Sequence, residues 1–142
     1  MFTDKAGVFI RRLRRLRRFK KMNFEISRIT IGCAMTVHRE MGCGFLESVY
    51  ENALSIELQR KKIEFERQVP LLVHYKNTVV GRYKADMIIN GELLLELKAL
   101  QSISKSCESQ LLNYLKASGI PAGLILNFGS NSLGFKRMAK TK

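Results

Sequence analysis

The sequence predicts an α/β domain in which a mixed, mainly antiparallel sheet is flanked by helices. Three observations carry that prediction. Apolar residues recur at helical spacing between Asn23 and Lys61, alternate with polar ones between Ile63 and Leu100, and return to helical spacing after Ser104, ahead of an apolar run at 123–128. A period that moves from 3.6 to 2 and back separates helices from strands. A meander of strands, a crossover helix and a parallel strand then pack as layers.

The elements follow in order. Residues 1–22 hold nine Lys/Arg and one Asp, with Leu13, Leu16 and Phe19 spaced among the arginines. They read as a basic N-terminal extension, disordered or part-helical, which as a helix would suit an anionic membrane surface or nucleic acid. Residues 23–142 form the expected domain. Ile26, Ile29, Cys33 and Val37 make one helical stripe, and Gly42 and Gly44 end it in a turn. A second helix is expected over about 45–61, with Leu46, Val49, Ala53 and Ile56 on its apolar side. IEFERQV (63–69) reads as a half-buried strand that Pro70 interrupts. LLVHY (71–75) resumes it, and Lys76-Asn77 is a turn. TVVGRYKADMII (78–89) is a long strand with a bulge near Gly81. Asn90-Gly91 signals a hairpin into ELLLELKAL (92–100). A third helix spans about 104–118, with Leu111, Tyr114, Leu115 and Ser118 at helical spacing and Gly119 as its stop. FKRMA (135–139) is either a last strand or irregular.

The bulk numbers bound the function. A chain of 142 residues argues for one domain. It has no apolar run near the roughly 18 residues of a membrane span, so stable membrane insertion is not expected. Cys33, Cys43 and Cys107 are odd in number and form no CxxC, which points to a reduced, cytoplasmic protein. Cys33, His38 and Cys43 do not have zinc-site spacing. His38 and His74 read as structural. The net charge of +13 is uneven, because the first 22 residues hold most of the excess. A basic balance fits a phosphate-bearing partner.

The chemistry concentrates in YKADMIINGELLLELKAL (83–100). Glu96-Leu97-Lys98 is the chain's one Asp/Glu-x-Lys, and it lies in its most strand-like segment. Side chains alternate along a strand, so Glu92, Leu94, Glu96 and Lys98 share one face and Leu93, Leu95 and Leu97 the other. A central strand would bury Glu96 and Lys98 at least partly, and buried charges need partners. Asp86 depends on the hairpin register. A plain two-residue loop pairs Ile89 with Glu92 and puts Asp86 opposite Leu95. A three-residue loop, or one bulge near Gly91, brings Asp86 onto the face of Glu96 and Lys98. In that register two carboxylates would stand together and attract a hard cation, Mg²⁺ or Mn²⁺. The bland alternative is a surface ion pair of Glu96 and Lys98 on an edge strand.

GFLESVYE (44–51), taken with YKAD, LELKA and SQLLNYL in that order, resembles the GxxExxY family of the PD-(D/E)XK nuclease superfamily. The likeness spans about residues 24–140. Cys43 departs from it, since proline is expected between the two glycines. The resemblance implies a restriction-endonuclease-like core and Mg²⁺-dependent hydrolysis of nucleic-acid phosphodiesters. It implies Asp86 and Glu96 as metal ligands, with Glu47 reaching the metal directly or through water. Lys98 would position the attacking water, and Gln110 would orient a ligand or phosphate. Nucleic acid is the expected partner, DNA ahead of RNA, with Arg39, Arg82, Lys84 and Lys105 as candidate backbone contacts. Cleavage of a double strand would suggest a homodimer, though no dimer surface can be read from the sequence. The competing readings are a non-catalytic nucleic-acid-binding module and a protein-interaction module that keeps the fold.

Overall fold

The computed structural model describes residues 5–140, the Phe19 side chain excepted. Residues 1–4 of the expected extension and 141–142 of the expected domain lie outside the described residues. The elements are α1 (Lys5–Met41), α2 (Glu47–Arg60), β1 (Phe65–Tyr75), β2 (Thr78–Ile89), β3 (Leu93–Lys98), α3 (Lys105–Ser118), β4 (Ala122–Asn127) and β5 (Gly134–Ala139). Five strands form one sheet in the order β1-β2-β3-β4-β5. β3 and β4 pair parallel across the α3 crossover, and every other pair is antiparallel.

The ELLLELKAL segment is the central strand. Its leucines divide between two cores. Leu93, Leu95 and Leu97 pack with Cys33, Ala34 and Val37 of α1 and Tyr50, Leu54 and Leu58 of α2. Leu94 packs on the other side of the sheet with Cys107, Leu111 and Leu115 of α3. Two helices therefore cover one face and one helix the other, the layering that the change of period predicts.

Four details differ from the sequence expectation or resolve it. The first helix starts well before Asn23, at Lys5, but no residue from 5 to 22 whose burial is described is buried; Asn23 is the first. Deleting residues 1–21 is therefore expected to leave the melting temperature within about 2 °C, because exposed surface contributes little to stability. A large loss by differential scanning calorimetry would place the basic segment inside the domain.

On α2 the buried stripe is rotated. Tyr50, Leu54 and Leu58 are fully buried, whereas Leu46 and Ile56 are exposed. This helix carries apolar residues on more than one side, and its aromatic decides between them. The Tyr50 ring stacks on Phe128 at 4.5 Å, and its hydroxyl donates to the Gly42 carbonyl at 2.6 Å. Tyr50 thus fastens the glycine turn from within the core.

Pro70 does not interrupt β1, which runs through it. β1 is an edge strand, so half of its N–H groups face away from the sheet and proline costs no ladder bond there. The bulge does lie at Gly81: β1 and β2 slip by one between Val73↔Gly81 and His74↔Val79. FKRMA is a strand, paired with β4.

The ends of β3 and β4 are tied by Asn127, which is 1% exposed. Its side chain accepts from Leu100 N–H at 2.8 Å and donates to Leu100 C=O at 2.9 Å. Gly129 lies against the same segment, where a Cβ would stand 2.3 Å from the Leu100 backbone nitrogen and oxygen. Backbone cannot yield as a side-chain tip does. Gly129→Ala is expected to cost roughly 1–3 kcal/mol in denaturant unfolding.

Candidate active site

The hairpin register decides what Asp86 meets. Asn90 and Gly91 both take positive φ, 51° and 66°, and Glu92 N–H donates to Ile89 C=O at 2.9 Å. Pairing then resumes as Ile89↔Leu93, Ile88↔Leu94 and Met87↔Leu95. Three residues, 90–92, separate the strands, so the three-residue register holds. Beyond Met87↔Leu95 the β2–β3 ladder stops, and two carboxylates take over. Asp86 Oδ2 accepts from Leu97 N–H at 2.8 Å, and Glu96 Oε1 accepts from Asp86 N–H at 3.3 Å. Each acid satisfies a backbone donor that the splayed strands leave without a carbonyl.

Burial makes this pair electrostatically tense. Glu96 is 5% exposed. Burial, then the neighbouring Asp86 charge, pushes its carboxyl up to about 8. Asp86 also rises, first through burial; the Leu97 amide opposes this, and the charges of Glu51 and Glu47 add to it. Lys98 lowers both. Near neutral pH such a pair either keeps a proton or gains a cation.

Lys98 leaves the same face two residues on. Its Nζ donates to Gln110 Oε1 at 2.8 Å, and Gln110 Nε2 donates to the Tyr114 hydroxyl at 3.3 Å. Gln110 stands on α3, so the helix next in sequence holds the lysine's head. Tyr114 in turn lies against the ring of Tyr83 on β2, with centroids 5.1 Å apart.

Glu47 opens α2, where an acid suits the helix dipole. It lines a cavity of about 400 Å³ with Ser48, Glu51, Gln68, Asp86 and Leu97. The structure therefore gathers all five sequence-derived residues in one region: Glu96 on the Asp86 amide, the Asp86 carboxylate on the Leu97 amide, Lys98 with Gln110, and Glu47 lining the cavity with Asp86. Two residues were missed. Glu51 is 6% exposed, and Gln68 lies on β1. Glu51 had a signal, one helical turn after Glu47. Gln68 had none, because its place depends on a kink in an edge strand.

The donors present are oxygen atoms, the kind a hard divalent cation takes. Among the described residues no three His, Cys, Asp or Glu side chains close into a metal cage. Mg²⁺ does not demand one, since it is commonly held by one or two carboxylates with water and substrate phosphate completing its shell. The Asp86–Glu96 pair fits that pattern, with Glu47 within electrostatic reach.

A family model of the PD-(D/E)XK nuclease superfamily matches residues 24–138. The chain belongs to the PD-(D/E)XK nuclease superfamily. Among solved structures it is similar to the crystal structure of SSO0001, with a TM-score of 0.55 and 18% identity over 67% of this chain and 50% of that one. This likeness bears on the fold, and the chain spans about half the length of that structure. A comparison with curated proteins finds no match. The five-stranded mixed sheet with flanking helices is the restriction-endonuclease-like core of the superfamily. No described helix is long and apolar enough to cross a membrane.

Proposed function

We propose that this PD-(D/E)XK protein is a nuclease of the GxxExxY branch that uses Mg²⁺ or Mn²⁺ to hydrolyse nucleic-acid phosphodiesters, DNA ahead of RNA. The observation that carries the reading is the register Ile89↔Leu93, which sets Asp86 beside Glu96 with Lys98 on the same strand. Asp86 and Glu96 hold the metal, and Glu47 reaches it directly or through water. A divalent cation there supplies a lowered pKa for the attacking water and polarises the phosphodiester. Lys98 orients that water or meets the charge that develops on the phosphate. Gln110 limits the lysine's head to one place, so less freedom is lost on reaching the transition state.

The binding surface follows from β2. Arg82 and Lys84 are exposed and precede Asp86 on the same strand, and Arg39 and Lys105 are exposed on α1 and α3. Replacing Arg82 and Lys84 with Ala is expected to weaken duplex binding equally across sequences. It should also flatten the dependence of log K on log salt by about 2. An unchanged slope in a fluorescence-anisotropy titration would remove both from the contact surface. The three cysteines are unpaired, which supports a cytoplasmic setting.

The test is incubation of the full chain with single- and double-stranded DNA and RNA, with Mg²⁺, with Mn²⁺ and with chelator. Metal-dependent cutting of one class establishes the activity and its substrate together. Salt-sensitive binding without cutting would replace the reading with a non-catalytic nucleic-acid-binding module. Absence of affinity at low salt would favour a protein-interaction role.

A further inference from the structure

Five described non-glycine residues have positive φ. Lys62, Lys76, Asn77 and Asn90 lie in turns, whereas Gln68, at 51°, lies inside strand β1. Such a conformation costs about 1–3 kcal/mol and persists only where the surroundings hold it. Gln68 stands at the level of Asp86. Arg67↔Met87 and Val69↔Ala85 pair on either side, and Gln68 and Asp86 do not pair with each other. Packing changes at the same level. Phe65, Met87 and Ile89 belong to the core under α1 and α2, while Val69, Leu71 and Ala85 belong to the core under α3. All six are odd-numbered, so alternation has slipped by one within the β1–β2 ribbon. The slip coincides with Asp86, whose N–H goes to Glu96 instead of across to β1.

Glu51 of α2 holds the distorted segment. Its Oε1 accepts from Gln68 Nε2 at 2.5 Å, and its Oε2 accepts from Arg67 Nε at 2.9 Å and stands 2.7 Å from the second guanidinium nitrogen. Arg67 also donates to Asn52. Both oxygens of this buried carboxylate are occupied, which suits a clamp better than a ligand.

We infer that Glu51 is a positioning residue: by gripping Gln68 and Arg67 it keeps β1 kinked, and the kink releases Asp86 from the ladder so that its carboxylate can turn to Leu97. The effect on cleavage rests on the proposed nuclease reading. The effect on the geometry of Asp86 does not.

The experiment compares two truncations that differ only in their tolerance of positive φ. In Gln68→Ala the residue prefers extended backbone, and with the grip gone the kink relaxes. In Gln68→Gly the left-handed conformation carries no penalty, and the kink survives. The amide resonances of Asp86 and Leu97 report the result, with Asp86→Asn as the reference for a weakened carboxylate–amide bond. Gln68→Ala is expected to move both resonances toward that reference and to lower kcat roughly 10–100-fold with KM within about twofold. Gln68→Gly should leave them near wild type. Glu51→Ala should behave as Gln68→Ala does, and adding Gln68→Gly to it should restore the resonances. Equal behaviour of Ala and Gly at position 68, or a Glu51→Ala spectrum that Gly does not restore, would overturn the inference. If the wild type proves not to cut, the nuclease reading falls, and the resonances still decide this one.

Discussion

Lys98→Ala is expected to lower kcat for metal-dependent cleavage by about 10²–10³-fold, the usual effect of removing one fixed donor from a developing charge. The fold should survive, because the lysine is half-buried at the end of β3 and the hydrogen-bond partner of its side chain, Gln110, is itself partly exposed. Binding of nucleic acid should change little. The side chain also offsets the charges of Asp86 and Glu96, so its loss should raise both carboxyls further. Lys98→Arg separates the two contributions. It keeps the charge, but a planar guanidinium cannot replace a compact ammonium held by one amide oxygen. Arginine should therefore preserve much of the electrostatic support for the carboxylates and little of the rate. Cleavage at the wild-type rate in Lys98→Ala, measured under single-turnover conditions, would remove Lys98 from the chemistry.

Glu96 carries the second large effect, on stability. Its folded carboxyl sits at about 8, above the ordinary 4.5. Between those values the folded chain binds more protons than the unfolded one, so stability falls as pH rises. The contribution is fully present below about 4.5, is lost progressively up to about 8, and then levels off. The span corresponds to on the order of 4–5 kcal/mol without metal. Asp86 works in the same direction. In Glu96→Gln the Glu96 part of this slope should vanish. Metal-free variant at pH 8–9 should then melt roughly 10 °C above the wild type. Mg²⁺ narrows the difference. A cation that binds only the folded, ionised pair stabilises it by mass action, by about 1.4 kcal/mol at ten times its dissociation constant. The wild type should therefore gain thermal stability with Mg²⁺ at pH 8, and Glu96→Gln should not. Thermal melts of both proteins across pH, with and without Mg²⁺, check this. Equal shifts in both would place the metal elsewhere.

The two effects belong together. Burial and like charge concentrated in one place, at a cost in stability without metal, are common at functional sites. The leucines around Glu96 contribute on both faces. They bury the acid, which raises its proton affinity, and they fix β3 at the centre of the sheet, where slippage would bring every leucine to the wrong side.

Much of this was legible from residue order. The switch from helical to alternating spacing gave the layers, and Asn90-Gly91 placed the hairpin. The single Glu-x-Lys in a leucine-rich strand marked the candidate site, and Gln110 entered only through the family resemblance. The stripe on α2 was not legible, because Leu46, Val49 and Ile56 are as apolar as Tyr50, Leu54 and Leu58. Partners distant in sequence select between the two sides, among them Phe128, more than seventy residues away, which stacks on Tyr50. Pro70 misled because proline's cost depends on whether a strand is an edge, and an edge is defined by the whole sheet.

By itself the sequence determined which residues carry charge, where the chain turns, and that a leucine-rich strand holds Glu96; the sheet order then placed that strand at the centre. The sequence left Asp86 with two partners, Leu95 or Glu96, one residue apart. The tertiary structure made that choice, since pairing Ile89 with Leu93 seats Leu93, Leu95 and Leu97 under α1 and α2 and Leu94 under α3. It also recruited Glu51 and Gln68, whose contact requires α2 to lie over the kink in β1. Strand registers differ by whole residues while their local propensities are nearly equal, so the packing of the cores chooses between them, and the position of the carboxylates follows.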